Sequence, residues 1–450
     1  EFTALERVNL DDDDGTSYGE IQYDNTETPA YLRTCAWLDV ASHTSMTKLS
    51  LEQRKQGLYA DKVGTYFINS SSVKCMDKVY SKHIQKENGE YDLYMYDKSG
   101  TILAAVYGGK IGVMKKPKQH ILYKDEWIPI ADSITMVPLP SIKTFKDIQS
   151  LHNFIQLESK KRQEVVINIE SENEMTGYLR TVRMEYTDWD IKTVITKDEI
   201  KEIPKDENEL MYKDGKWYTR RLIKEQENKD IQTELKEQCT YLITGGLGYV
   251  GMEITKRLIS EFKHINIVLL SSSRDKLPDD WNLETQPDVV QCDVSNYEEL
   301  KAQLFDKYDN IKGIVHCAGV LKDGTIETLT KKDFETVYKP KVMGAHNLDK
   351  LSDNLDFFVM CSSIAAGFGS AGQSNYSAAN SELDAFATER FIEGLPYVSI
   401  RWGPWIGGGM AMDETLKRAS RQGILGLEAN QAVDTVLSIM HNIKEPVYTI

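Results

Sequence analysis

Beyond residue 240, short apolar runs alternate with amphipathic stretches. The runs cover 241–244, 265–270, 289–292, 314–317, 357–361 and 398–402, and each is mainly apolar. Such runs read as strands buried on both faces. Between them, 250–262, 296–308, 331–350 and 372–393 have amphipathic, helical character. This alternation predicts an α/β, doubly wound parallel sheet whose ligand sits at the carboxyl ends of the strands.

The first half has a different texture. Residues 63–68, 91–96, 102–106 and 111–114 are short aliphatic and aromatic runs, and Lys98-Ser99-Gly100 makes a hairpin turn between two of them. Runs at 122–128, 133–137, 165–169 and 192–195, with a helix over 145–161, suggest a second sheet. No phosphate-loop glycines accompany it. The charged stretch 224–237 reads as a connector, and polar residues 1–30 as a flexible leader. Four aspartates, Asp11 to Asp14, lack the alternating spacing of a calcium loop and read as solvated linker. The expected division is a leader at 1–30, a β-rich extension at 31–117, a second sheet at 118–236 and the alternating region at 237–450.

A chain of 450 residues has room for two or three such domains. Its formal charge of −15 argues against a nucleic-acid binder. An acidic partner would therefore need a local basic patch. The six cysteines stand apart, with no metal-ligand spacing, and read as reduced thiols of a cytoplasmic protein; no metal is expected. No apolar run reaches membrane-spanning length, and no signal peptide opens the chain.

The first chemical word is TGGLGYVG. It runs from Thr244 through Gly245, Gly246, Gly248, Tyr249 and Val250 to Gly251, directly after one predicted strand and opening a helix. There, glycines let the backbone approach a pyrophosphate that the helix N-terminus attracts. After the second strand, an NAD site would place a carboxylate on the ribose. This chain reads Ser271-Ser272-Ser273-Arg274 instead. Hydroxyls and a guanidinium suit a 2′-phosphate, which favours NADPH over NADH. Asp293 and Val294 end the third strand, where they can meet adenine. Ala318 and Gly319 end the fourth, where small residues admit the ribose. His316 beside them reads as a satisfied structural histidine.

The second word lies near residue 370. Ser363 ends the fifth strand, Tyr376 follows 13 residues later on a helix, and Asn380 lies one turn on. Ketone reduction needs a proton for the emerging alkoxide, and a tyrosine can supply it, although its ordinary pKa is about 10. A nearby ammonium lowers that value, and a serine hydroxyl can hold the carbonyl oxygen. In ordinary short-chain dehydrogenases a lysine stands where Asn380 does, so here the cation must come from elsewhere. Lys341, in the helix before the strand, is the candidate.

The last 215 or so residues resemble the ketoreductase (KR) domain of modular polyketide synthases and, more distantly, that of animal fatty acid synthase. The matching words are TGGLGYVG, HCAGVLKDG, KVMGAHNL, CSSIAAGFGSAGQSNYSAANSELDAFA and IRWGPW. The family belongs to the short-chain dehydrogenase/reductase superfamily, with a Rossmann catalytic subdomain, and exchanges the lysine and asparagine as this chain does. The resemblance implies Tyr376 as acid, Ser363 as carbonyl holder, Lys341 as cation and Asn380 as support for a water network. It also implies a truncated, silent Rossmann-like subdomain before the active one, which LYKDEW and WYTRRL would begin and close. Residues 66–115 vaguely resemble the final strands of a dehydratase-type hotdog domain without its catalytic motif.

The resemblance further implies a ketoacyl chain tethered to an acyl carrier protein, and other synthase domains as partners. Stereochemical markers are mixed. Leu321-Lys322-Asp323 keeps the last aspartate of the Leu-Asp-Asp word of D-hydroxy (B1-type) reductases; Phe368 stands where the opposite type has tryptophan, and Ala378 replaces an epimerisation-marking proline. Asp323, Phe368, Gln373 and Met410 are the positions expected to orient substrate, with 407–425 as a mobile lid. Two other readings stay open: a free-standing short-chain reductase, and a reductase-like scaffold without activity.

Overall fold

The structure, a computed structural model, describes residues 5–11, 16–22, 58–62, 65–68, 78–86 and 90–113. From 122 onward it describes all but 132, 160, 162, 226–234, 263, 280, 410–415, 418 and 421–422. Contacts divide the chain into Glu1–Pro117 and Lys118–Ile450.

The first unit is a seven-stranded antiparallel sheet. Leu5–Asp11 and Thr16–Gln22 fall in the stretch expected to be a flexible leader, yet they are strands, and the second pairs with Lys78–Gln85. Cross-strand backbone pairing, which composition does not reveal, orders them. Asp12 to Gly15 lie outside the described residues. The two runs expected at 102–106 and 111–114 are one strand, Ile102–Val113. Gly108 at φ +65 sits at a register shift against Tyr91–Tyr96, so a bulge carries the strand through its glycines. A Cβ on Gly109 would stand 2.5 Å from the Tyr91 ring, so glycine is needed there.

The second unit is built on one 13-stranded sheet. One half, in spatial order, is Val447–Thr449, Tyr397–Trp402, Phe357–Ser363, Ile311–His316, Thr240–Thr244, Asn266–Ser271 and Asp288–Gln291, all parallel. All six predicted strands are present, and the strand order reverses between Thr240–Thr244 and Ile311–His316. That switch point opens a crevice at the carboxyl ends. The other half runs Tyr123–Pro129, Lys216–Lys224, Glu209–Lys213, Asp190–Ile195, Glu164–Ile169 and Ile142–Thr144, the last four parallel. The halves meet at Thr449 opposite Tyr123. This is a Rossmann subdomain preceded by a truncated Rossmann-like one.

The halves also share a helix interface. Glu174–Glu185, which the sequence pattern did not signal, packs on Ser374–Ile392. A Cβ on Gly177 would lie 2.3 Å from the Ser377 carbonyl oxygen, backbone against backbone. Gly177→Ala is expected to lower stability by about 1–3 kcal/mol through overpacking. The better helix former would return only about 1 kcal/mol of that. Urea denaturation checks it; a stability gain would contradict the close approach.

Candidate active site

The glycine loop leaves strand Thr240–Thr244 with Gly245 at φ +61, where a Cβ would meet Ala318 at 2.9 Å. Side chains are excluded on both counts. The helix Tyr249–Glu261 that follows starts at Gly248 with no side-chain cap, so its first amides face the crevice unpaired by a capping side chain. This cradle fits a dinucleotide pyrophosphate. Thr244 is fully buried, and its hydroxyl contacts His316 Nδ1 at 2.6 Å and accepts from the Ala318 amide at 3.3 Å, so it braces the loop from beneath. Tyr249 turns away from the loop and donates to the Ile406 carbonyl at 2.9 Å. Val250 is half-buried.

Arg274 is exposed and donates to the Leu247 carbonyl at 3.3 Å, which lays its guanidinium along the glycine loop. Ser272 and Ser273 are exposed beside it. Asp293 accepts from the Ser295 amide and hydroxyl, at 2.9 and 2.8 Å. Val294 is buried. His316 is the structural residue expected: it is 1% exposed, its Nε2 contacts the Lys341 carbonyl at 2.7 Å, and burial pushes its pKa down to about 4.

Ser363 ends its strand and caps the short helix Ile364–Phe368, accepting from the Ala365 amide at 3.2 Å. Its O–H remains free to donate elsewhere. Tyr376 and Asn380 lie one turn apart on Ser374–Ile392, both buried. Lys341 arrives from a π-turn, Lys339–Met343, which interrupts the helix expected over 331–350. Such turns often re-aim a side chain at a functional site. Its Nζ donates to the Cys361 carbonyl at 2.8 Å and stands 5.4 Å from the centre of the Tyr376 ring. A Cβ on Gly319 would meet the Lys341 Cε at 2.9 Å, so glycine there makes room for the lysine. Burial pushes the Lys341 pKa down to about 8. Burial likewise pushes Tyr376 up to about 12, against a lowering influence of Asn380 and Ser363. Asn380 Nδ2 donates to the Tyr376 carbonyl at 2.8 Å, while its buried Oδ1 has no hydrogen-bond partner among the described residues.

The substrate-orienting candidates divide. Gln373 donates to both oxygens of Asp323 at 3.1 Å, and Phe368 is 49% exposed. Met410 lies outside the described residues, as does part of the expected lid. Ala378, two residues past Tyr376, is fully buried against the other half of the unit.

Sequence reasoning missed the residues that hold the Ser363 loop. Arg180 donates to the Ala366 carbonyl at 2.6 Å and Arg220 to that of Gly367 at 2.9 Å, both from the first half of the unit. Arg180 also pairs with Glu209 at 2.7 Å, and Arg220 with Asp125 at 2.7 Å. Asp125 meets Arg401 at 2.5 Å, which in turn meets Asp384 on the tyrosine helix at 2.5 Å. Burial alone would raise the Glu209 carboxyl, but Arg180 and Arg183 hold it far below the usual range. A charged residue inside the fully buried strand Tyr397–Trp402 was the available signal.

Among the described residues, no cluster of three His, Cys, Asp or Glu side chains could hold a metal ion, and no helix is long and apolar enough to cross a membrane. Residues 239–407 match the family model described as "KR domain". Over 222 residues, 45% of this chain, it is 39% identical to "Phenolphthiocerol synthesis polyketide synthase type I Pks15/1" of Mycobacterium marinum, covering 11% of that protein. It is 34% identical over 279 residues, 58% of the chain, to "Polyketide synthase GfsE" of Streptomyces halstedii, covering 7% of it. The chain thus spans about a tenth or less of these relatives. Among solved structures it is similar to "The first ketoreductase of the tylosin PKS", 26% identical with TM-score 0.57, over 67% of this chain and 73% of that one. The phoslactomycin ketoreductase PlmKR1 of Streptomyces sp. HK803 shares the fold at 22% identity and TM-score 0.63, over 73% of this chain and 92% of that one. Glycine cradle, strand order and these likenesses agree: residues 239–407 match the KR-domain model, and the second half of the chain is similar to ketoreductase domains of polyketide synthases.

Proposed function

We propose that this domain reduces a 3-ketoacyl thioester, carried by an acyl carrier protein, to the 3-hydroxyacyl thioester with NADPH. The observation that carries the reading is the convergence of Lys341, from its own π-turn, on buried Tyr376 beside Ser363 and the glycine cradle. NADPH, when bound, supplies the hydride. The Ser363 hydroxyl holds the ketone oxygen. Tyr376, pushed up to about 12, is protonated throughout the neutral range, as a proton donor must be. As its proton leaves, negative charge grows on the phenol oxygen, and the Lys341 ammonium stabilises it. The buried Oδ1 of Asn380, which accepts from no described residue, can accept from a water that returns a proton to the tyrosine.

Two predictions belong here. Lys341 titrates near 8, so reduction is expected to slow as pH rises through that value and the ammonium is lost. The pH–rate profile of NADPH oxidation checks it; an unchanged rate up to pH 10 would remove the ammonium from the step. Arg274, with Ser272 and Ser273, is assigned to the 2′-phosphate. Arg274→Ala is expected to weaken NADPH binding about 10- to 100-fold, the worth of a charge-assisted contact. NADH binding should hardly change; equal losses for both cofactors would reject the assignment. Asp293 and Val294 are assigned to adenine, and Ala318 and Gly319 to its ribose.

The Asp323–Gln373 pair and the absence of tryptophan at Phe368 support a D-hydroxy product. The direct test of function is NADPH consumption by the full chain with a 3-ketoacyl N-acetylcysteamine thioester, followed by chiral analysis of the product. Folded, cofactor-binding protein without turnover would favour the scaffold reading.

A further inference from the structure

Among the described residues, Cys317 and Cys361 are thiols that the reduction does not use and that nonetheless touch its machinery. Cys317 follows strand Ile311–His316, and Cys361 lies in Phe357–Ser363. His316 pairs with Met360 in parallel register, so the two cysteines face each other one step further on. Their sulfurs are 3.2 Å apart. Neighbouring strands lie about 4.8 Å apart, inside the Cα separation that a disulfide spans. Cys317 is partly exposed, whereas Cys361 is only 7% exposed. The Cys317 backbone adjoins the glycine cradle, where a Cβ on Gly245 would lie 2.9 Å from its carbonyl carbon. The Cys361 carbonyl is the acceptor that anchors Lys341.

We propose that Cys317 and Cys361 are a modification site, forming a reversible disulfide with hydrogen peroxide as oxidant when the cofactor crevice is open. The Cys317 sulfur attacks a peroxide oxygen, the O–O bond breaks, and the departing hydroxide takes the thiol proton as water. The Cys361 sulfur then attacks the sulfenic sulfur. The S–S bond forms, the S–O bond breaks, and the second hydroxide leaves with the Cys361 proton as water. Two thiols lose two electrons, and one peroxide becomes two waters. The 3.2 Å contact already places the Cys361 sulfur for the second attack, while that contact and burial push the Cys317 thiol well above its usual pKa, so the first attack is the slow step. Closing 3.2 Å to a bond of about 2.05 Å draws on the main chain that holds Lys341 and leads to Ser363. The bridged form is therefore expected to lose turnover.

The protection by cofactor rests on the nicotinamide reading above, and the bridge itself does not. The test uses the reduced full chain treated with hydrogen peroxide, with and without NADP+, read by intact mass and non-reducing peptide mapping. The expected result is loss of two hydrogens, mapped to a Cys317–Cys361 peptide pair, restored by dithiothreitol and absent from Cys317→Ser and from Cys361→Ser. At ten times its Kd, NADP+ leaves about one crevice in eleven open, so bridging should slow about tenfold. Free thiols at both positions, sulfinic acid without a bridge, or the same mass loss in either variant would overturn the site. NADPH fluorescence titration separates the two readings. Bound cofactor with undiminished bridging would overturn the protection, whereas a mapped bridge without cofactor binding would count against the nicotinamide reading alone.

Discussion

Tyr376→Phe is expected to slow reduction by about 10²–10⁴-fold, the usual worth of a positioned proton donor. Lys341→Ala is expected to cost a similar factor. The reason is geometric. Tyr376 is buried, and burial is the largest influence pushing it up to about 12, so the developing phenolate has little solvent to stabilise it. The Lys341 ammonium is the cation placed against that ring, and Cys361 fixes it in place. In the structure the lysine donates to a carbonyl, and burial sets the direction of the tyrosine's shift. A donor that stays protonated until the alkoxide forms needs the cation only as the proton departs. Asn380→Lys alone is not expected to improve the enzyme, because it would bury a second ammonium in a site already holding one. NADPH oxidation with the thioester substrate measures each variant, and cofactor binding should survive Tyr376→Phe.

Arg401→Met should be the most damaging single change to stability, at about 3–5 kcal/mol, because it leaves buried carboxylates unpaired. Asp384 is 5% exposed and receives both Arg401 and the Ser399 hydroxyl, the latter at 2.6 Å. Asp125 links the same arginine to Arg220, and Arg220 holds the Gly367 carbonyl. The substitution therefore strikes the sheet, the tyrosine helix and the Ser363 loop together. Replacing the buried pair at once, as Arg401→Met with Asp384→Leu, should recover much of the loss, since an apolar pair bears no desolvation cost. Urea denaturation of the single and double variants reads both. A single variant as stable as the parent would mean that the network contributes little.

The sequence pattern disclosed the parallel core because strands such as Phe357–Ser363 are buried on both faces and must be apolar throughout. It disclosed the glycine cradle because only glycine meets the geometry at Gly245. It was silent about helix Glu174–Glu185, which buries every residue from Met175 to Val182 and so shows no amphipathic stripe. Helix Ala429–His441 was not assigned, although Val433, Val436, Leu437 and Met440 stand at helical spacing, because it lies past the last strand read. Tyr376 and Ser363 were recoverable from local order along the chain. Lys341 was offered by the sequence as the missing cation, but the π-turn that places it from 35 positions upstream of the tyrosine was not legible. The arginine network stayed hidden because arginine by default reads as surface, and only the fold supplies its buried partners.

The central claim is that Tyr376 and Lys341, from separate segments, act as one proton-donating unit. The most direct measurement is the turnover of Tyr376→Phe, Lys341→Ala and the combined variant with NADPH and a 3-ketoacyl N-acetylcysteamine thioester. Residues acting as a unit lose their effect together, so the combined variant is predicted to be no slower than the slower single one. Losses that multiply, or a Lys341→Ala enzyme with undiminished turnover, would contradict the claim.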